Sequence, residues 1–193
     1  MKYIITLLYL GCYAYSTAQN ISGQVFWPNG NLVDIPLVLH MKFEECPQLN
    51  FDVDVNNGSF NLNVAPSLLC KDDSIHLSVS GEADARDGVS ALDLVRIARH
   101  LLGIKPFTNV LQQVAADANN SESVSALDLI EIRKLILGLY QEWPKTETLN
   151  FFLKTTIEPP PVGTQLLPEF VVPHHDGIWL VDFWAVKTGD IYP

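Results

Sequence analysis

The sequence predicts an α+β protein: a small β-sandwich, then a pair of loop–helix repeats, then a β-rich C-terminal segment. Three observations predict it. Residues 21–80 hold short runs of alternating apolar and polar residues separated by turn residues. Between 82 and 140 apolar residues recur at spacings of three and four, the period of amphipathic helices. Residues 149–157 and 178–186 return to β-branched and aromatic composition. With 193 residues, 48% hydrophobic and 18% charged, the chain is too apolar to be disordered.

Residues 1–18 read as a secretory signal peptide. Met1-Lys2 give a positive start, Tyr3–Leu10 an apolar run too short to span a bilayer, and Ser16-Thr17-Ala18 small residues before a cut at Gln19. Acylation at Cys12 is the competing reading, but Tyr9-Leu10-Gly11 lacks a Leu three residues before the Cys. No later stretch is long and apolar enough for a membrane helix. Export leaves Cys46 and Cys70, which in an oxidising compartment most simply form one disulfide, with two separate buried thiols as the alternative.

In the segment 19–80, strands are expected at Ile21–Phe26, Ile35–Met41, Leu49–Val55, Phe60–Val64 and Ile75–Val79. Pro28-Asn29-Gly30-Asn31 makes a turn, and Asn56-Asn57-Gly58 is a hairpin signal. In 81–140, Leu94, Ile97 and Leu101 mark one helix and Leu129, Ile132 and Ile136 another. Gly103 and Gly138 stand at C-cap positions, and Pro106 stops the first helix. Residues 107–116 connect the helices with a helical turn around Val110, Leu111 and Val114. The segment 141–193 is a β-rich tail packing on the preceding parts, with Pro159-Pro160-Pro161 as a stiff spacer.

The informative feature is a duplication with a period of 35 residues. Aligning 82–103 with 117–138 gives ten identities in 22 positions, with the core Val89-Ser90-Ala91-Leu92-Asp93-Leu94 against Val124-Ser125-Ala126-Leu127-Asp128-Leu129. The second copy reads as a twelve-residue loop. Asp117, Asn119, Ser121 and Asp128 stand at positions 1, 3, 5 and 12, the Ser123 carbonyl at 7 and Ser125 at 9. Alternating oxygens of this kind suit Ca²⁺, which takes six to eight oxygen ligands at about 2.3–2.6 Å. The first copy places Glu82, Asp84 and Asp93 at positions 1, 3 and 12 and the Gly88 carbonyl at 7, but Arg86 at position 5 has no acceptor. Position 6 is Asp87 or Glu122 where the sharp turn favours Gly. A Glu forced into a left-handed conformation there costs about 1 kcal/mol.

A duplicated calcium loop followed by a helix resembles the type I dockerin family. The residues that carry the likeness are Asp117 to Leu129 with Leu135-Ile136-Leu137-Gly138, and Gly88 to Leu94 with Leu101-Leu102-Gly103. The closing Phe183-Trp184-Ala185-Val186-Lys187-Thr188-Gly189-Asp190-Ile191 also looks like the end of such modules in secreted bacterial proteins. The resemblance implies calcium-dependent attachment to a cohesin-like partner, within polysaccharide-degrading or surface-adhesive assemblies. It also implies recognition through Ala91, Leu92, Ala98 and Arg99, and through Ala126, Leu127, Arg133 and Lys134. Residues 21–80 resemble carboxypeptidase-regulatory-like or transthyretin-like sandwiches, on Ile21-Ser22-Gly23-Gln24-Val25 and Asn57-Gly58-Ser59-Phe60.

Other classes find less support. A net charge of −10 opposes nucleic-acid binding. No nucleophile elbow, phosphate loop or dinucleotide motif is present, and His174-His175-Asp176 reads as an exposed loop. The expected protein is non-enzymatic. The competing function is a carbohydrate-binding or adhesive sandwich presenting Phe26 and Trp27, with the repeats as a structural clip.

Overall fold

The computed structural model describes residues 19–64, 74–172 and 178–192. The signal-peptide reading, Cys70 and His174-His175-Asp176 lie outside them. Two sheets face each other across an apolar core, and three helices pack against the outside of one. The first sheet runs β4 (Ser59–Val64), β1 (Gln19–Phe26), β9 (Phe183–Lys187), β6 (Leu149–Leu153), with β8 (Ile178–Leu180) also on β1. The second runs β3 (Phe51–Val55), β2 (Leu37–Phe43), β5 (Ile75–Gly81), β7 (Phe170–Val172). Between β5 and β6 come α1 (Ala91–Leu101), α2 (Val110–Ala116) and α3 (Ala126–Ile136).

The five strands expected before residue 81 are all present, and the C-terminal segment supplies the rest of both sheets. The segment 141–193 therefore packs by pairing. β9 lies parallel to β1 through Val25–Phe183 and antiparallel to β6, and β7 extends the second sheet through Ile75–Val172. The helices interrupt a single sandwich. The apolar run 178–186 breaks at Val181-Asp182, where the Asp182 carboxylate accepts the Gln24 backbone N–H at 3.0 Å. Gly23 permits this crossing, since a Cβ there would meet the Val181 carbonyl oxygen at 1.8 Å.

The Asn57-Gly58 turn departs from expectation. Both residues take positive φ, +50° and +67°, as a tight primed turn requires. The turn closes on an antiparallel Asn56–Ser59 bridge, but beyond it β3 pairs with β2 and β4 with β1, so it carries the chain from one sheet to the other. The Gly58 carbonyl accepts the Val25 N–H at 2.7 Å, which seats the turn on β1.

β9 decides how the helices sit. All five of its residues are buried. Phe183 and Ala185 enter the sandwich core beside Ile21, Leu39 and Leu77, whereas Trp184 and Val186 enter a second core with Ile97, Leu111, Ile132 and Leu135. Alternation along one strand thus supplies both cores. Phe26 stacks edge-on against Trp184, and Trp27 lies nearly parallel to Tyr192, so both are committed to packing. Cys46 is nearly buried at the sandwich core and disulfide-bonded.

Candidate calcium loops and attachment face

The two repeats begin their helices identically. Ser90 and Ser125 are N-caps in extended conformation, and Asp93 and Asp128 close a capping box on each. The Ser90 N–H reaches Asp93 Oδ2 at 2.9 Å, and the Ser125 N–H reaches Asp128 Oδ2 at 2.8 Å. Position 12 of each loop is therefore a buried carboxylate, 1% and 0% exposed, with one oxygen committed to the cap.

The loops differ in what meets the other oxygen. In the second, Asp128 Oδ1 accepts only the Asn119 backbone N–H, at 3.1 Å. Asp117 folds the loop around itself, taking Ser121 N–H at 2.9 Å and Glu122 N–H at 2.7 Å. Asn120 and Glu122 stand at φ +56° and +61°, so the expected turn at position 6 occurs despite its cost for Glu. Asn119 Oδ1 is the only buried side-chain oxygen among the described residues that has no hydrogen-bond partner. A desolvated carbonyl oxygen is costly unless something positive meets it. Ser121 Oγ and the Ser123 carbonyl lie 3.1 Å apart on the same loop.

Two carboxylates with neutral oxygens suit a hard cation, so these residues fit Ca²⁺. Asp117, Asn119, Ser121, the Ser123 carbonyl and Asp128 would hold it. The ion would offset their mutual repulsion and satisfy Asn119.

The first loop is built otherwise. Asp93 Oδ1 accepts Arg96 Nη1 at 2.9 Å and the Ile191 N–H at 3.1 Å. Asp84 Oδ1 accepts the Arg86 N–H at 2.8 Å, and the Arg86 guanidinium lies against Gly138 at the C-terminal end of α3. The left-handed residue is Gly88 at position 7, φ +75°, and Asp87 at position 6 is not left-handed, so the chain turns one residue late. Glu82, Asp84 and Gly88 are exposed. Among the described residues no three His, Cys, Asp or Glu side chains converge as a metal site. The structure does not gather Glu82, Asp84, Gly88 and Asp93 around a common centre, so as placed they do not form a calcium site.

Sequence reasoning missed a residue that meets this loop. Lys187, only 5% exposed, donates its ammonium to the Asp87 carbonyl. Burial pulls Lys187 down from the usual lysine range, against the attraction of Asp87, Asp190 and Asp84. Burial, with Asp93 nearby, pushes Asp190 up to about 6. One signal was available: position 15 of the repeat is Arg96 in one copy and Glu131 in the other.

The residues expected at a partner interface lie on the solvent side of α1 and α3. Leu92 and Leu127 are 55% and 61% exposed. The inter-helix core is instead formed by Ile97, Ile132 and Leu135, with Leu94 and Leu129 packed against it. Ala91, Ala126, Arg99 and Arg133 are exposed and Ala98 half-buried. Leu92 and Arg99 line a cavity of about 320 Å³ with Val95, Phe107 and Tyr192. Lys134 is engaged within the chain, bonding Glu131 at 2.9 Å and the Tyr140 hydroxyl at 3.2 Å.

A Ser–His–Asp relay also lies on the outer face of the second sheet. His40 Nδ1 is 2.7 Å from Asp52 Oδ1, and its Nε2 is 2.7 Å from Ser80 Oγ. Asp52 and Ser80 are exposed, the Asp52 side chain 66%, and His40 is half-buried between them. Water screens any charge developing there, so the arrangement lacks the enclosure on which electrostatic stabilisation depends. It is a cross-strand polar ladder.

Residues 85–137 match the family model for the type I dockerin domain. Comparison with curated proteins and with solved structures returned no match. The matched span takes in most of the first loop, all three helices and the second loop. No described helix is long and apolar enough to cross a membrane.

Proposed function

We propose that this chain, through the type I dockerin-like module at 85–137, is a secreted, non-catalytic protein that attaches to a cohesin-like partner in a calcium-dependent way. Its sandwich carries the module, and the setting is a polysaccharide-degrading or surface-adhesive assembly outside the cell. The signal peptide at 1–18 delivers it, and Cys46 pairs with Cys70.

The observation that carries this reading is the exposure of Leu92 and Leu127 at the starts of two helices whose cores are complete without them. A leucine beside a small residue and an arginine on each helix makes an apolar centre with a cationic rim. Ca²⁺ at Asp117, Asn119, Ser121, Ser123 and Asp128 fixes the second loop and so the entry of α3. The carbohydrate reading has less support, because Phe26 and Trp27 are half-buried and each already faces another ring, Trp184 and Tyr192.

The test is surface plasmon resonance on an immobilised panel of type I cohesin modules. Binding in millimolar calcium that disappears in chelator, and in the double variant Leu92→Glu, Leu127→Glu, is the expected result. Binding indifferent to both would overturn the proposal.

A further inference from the structure

We propose that the first loop holds a tethered cation where the second holds calcium: the Lys187 ammonium, with the Arg96 guanidinium, fills it, so each chain takes one calcium ion. The proposal rests on the calcium reading of the second loop only for that stoichiometry.

Three independent observations converge. Lys187 is the only buried lysine or arginine among the described residues, and its ammonium sits on the carbonyl of a first-loop residue, Asp87. Arg96 closes the position-12 carboxylate, bonding Asp93 Oδ1 and the Ile191 carbonyl, at 2.9 and 2.7 Å. Asp190 is pressed against Gly88, where a Cβ would come within 2.8 Å of its Oδ2. The C-terminal segment thus brings its own cation and its own carboxylate into the loop. A buried ammonium requires compensating charge, which Asp84, Asp87 and Asp190 supply. A divalent ion entering here would meet two fixed cations and a position-12 carboxylate already saturated by Arg96, the Ile191 N–H and the Ser90 cap.

The repeat explains how this arose in physical terms. Where the second copy has Glu131, turned away to Lys134 and Tyr140, the first has Arg96, turned in to Asp93. Position 5, a ligating Ser121 in one copy, is Arg86 in the other, directed to the end of α3. Each divergence removes an oxygen from the first loop or adds a cation to it.

Calcium bound per chain is counted by equilibrium dialysis on the metal-stripped full chain and on its Asp117→Asn variant, and Lys187→Met and Asp190→Asn are melted in chelator singly and together. One ion for the wild type and none for Asp117→Asn are expected. Two ions for the wild type, or one retained by Asp117→Asn, would overturn the proposal. In chelator, Lys187→Met is expected to melt lower by about 10 °C, and less so when Asp190→Asn is also present, because the carboxylate it compensates is gone. Strictly additive losses would overturn the tethered-cation assignment. No calcium bound by the wild type would instead refute the second-loop reading, leaving the melting cycle to judge the first.

Discussion

Replacing Asn119 by Ala separates the calcium reading of the second loop from a purely structural one. Asn119 Oδ1 is buried without a partner, and a desolvated acceptor of that kind costs about 1–3 kcal/mol. The backbone N–H of residue 119, which holds Asp128 Oδ1, survives the substitution. Removing the carbonyl from the metal-free protein therefore stabilises it, by about 1–2 kcal/mol after lost side-chain contacts are subtracted. At 150–250 residues each kcal/mol moves the melting temperature by about 2–4 °C, so a rise of about 2–8 °C is expected in chelator. Calcium acts in the opposite direction. A site with a dissociation constant of about 10⁻⁴–10⁻³ M adds about 1.4–2.7 kcal/mol at roughly 10 mM calcium. The variant lacks one ligand oxygen and gains less than half of this. The assay is differential scanning calorimetry of both proteins across a calcium series. A variant that melts below wild type in chelator would show that Asn119 is an ordinary structural amide. Equal calcium gains in both would show that its oxygen is not a ligand.

Three further outcomes are expected. Ser125→Ala removes the α3 cap and its capping box and costs about 1 kcal/mol in urea unfolding, a loss that should persist in calcium. Trp184→Ala empties the joint between the helices and β9 and costs about 3–5 kcal/mol; a single unfolding transition should shift as a whole, and separate transitions would show that the two cores fold independently. Ser80 should remain unlabelled by a fluorophosphonate probe under conditions that label a serine hydrolase, and labelling would overturn the non-catalytic reading.

What could be read from the sequence was local or repeated. The helices, their glycine C-caps and the loop oxygens all follow from short spacings, and duplication doubled each signal. The conformational cost at Glu122 was legible for the same reason, since the sharp turn at position 6 of the second copy falls on a residue with a side chain. What escaped is non-local. β7 is three residues long, too short for alternation to register, and exists because Ile75–Leu77 offers it an edge. The Asn57-Gly58 turn announced its torsions but not its destination, which depends on the Val25 N–H of the other sheet donating to the Gly58 carbonyl. Lys187 lies 100 residues from the loop it enters, so nothing in either local pattern connects them.

β9 shows why the module does not behave as an appendage. Five consecutive buried residues usually indicate a strand covered on both faces, and here the two covers are different bodies. The residues after it continue the attachment. The Gly189 N–H bonds the Ala115 carbonyl at 2.7 Å, one residue before the end of α2 and two before the second loop begins, while the Ile191 N–H bonds Asp93 at the end of the first. One C-terminal segment thus touches the end of the first loop and the helix that leads into the second within a span of five residues, counting from Lys187. The helix that leads into the second loop is therefore tied to the C-terminal segment through Ala115 and Gly189. The face of α1 and α3 that carries Leu92 and Leu127 is held against the sheets by these contacts, so a partner bound there, as proposed, would position the whole sandwich. A linker between sandwich and module would leave that orientation free. The paired strands on either side of the helices remove that freedom.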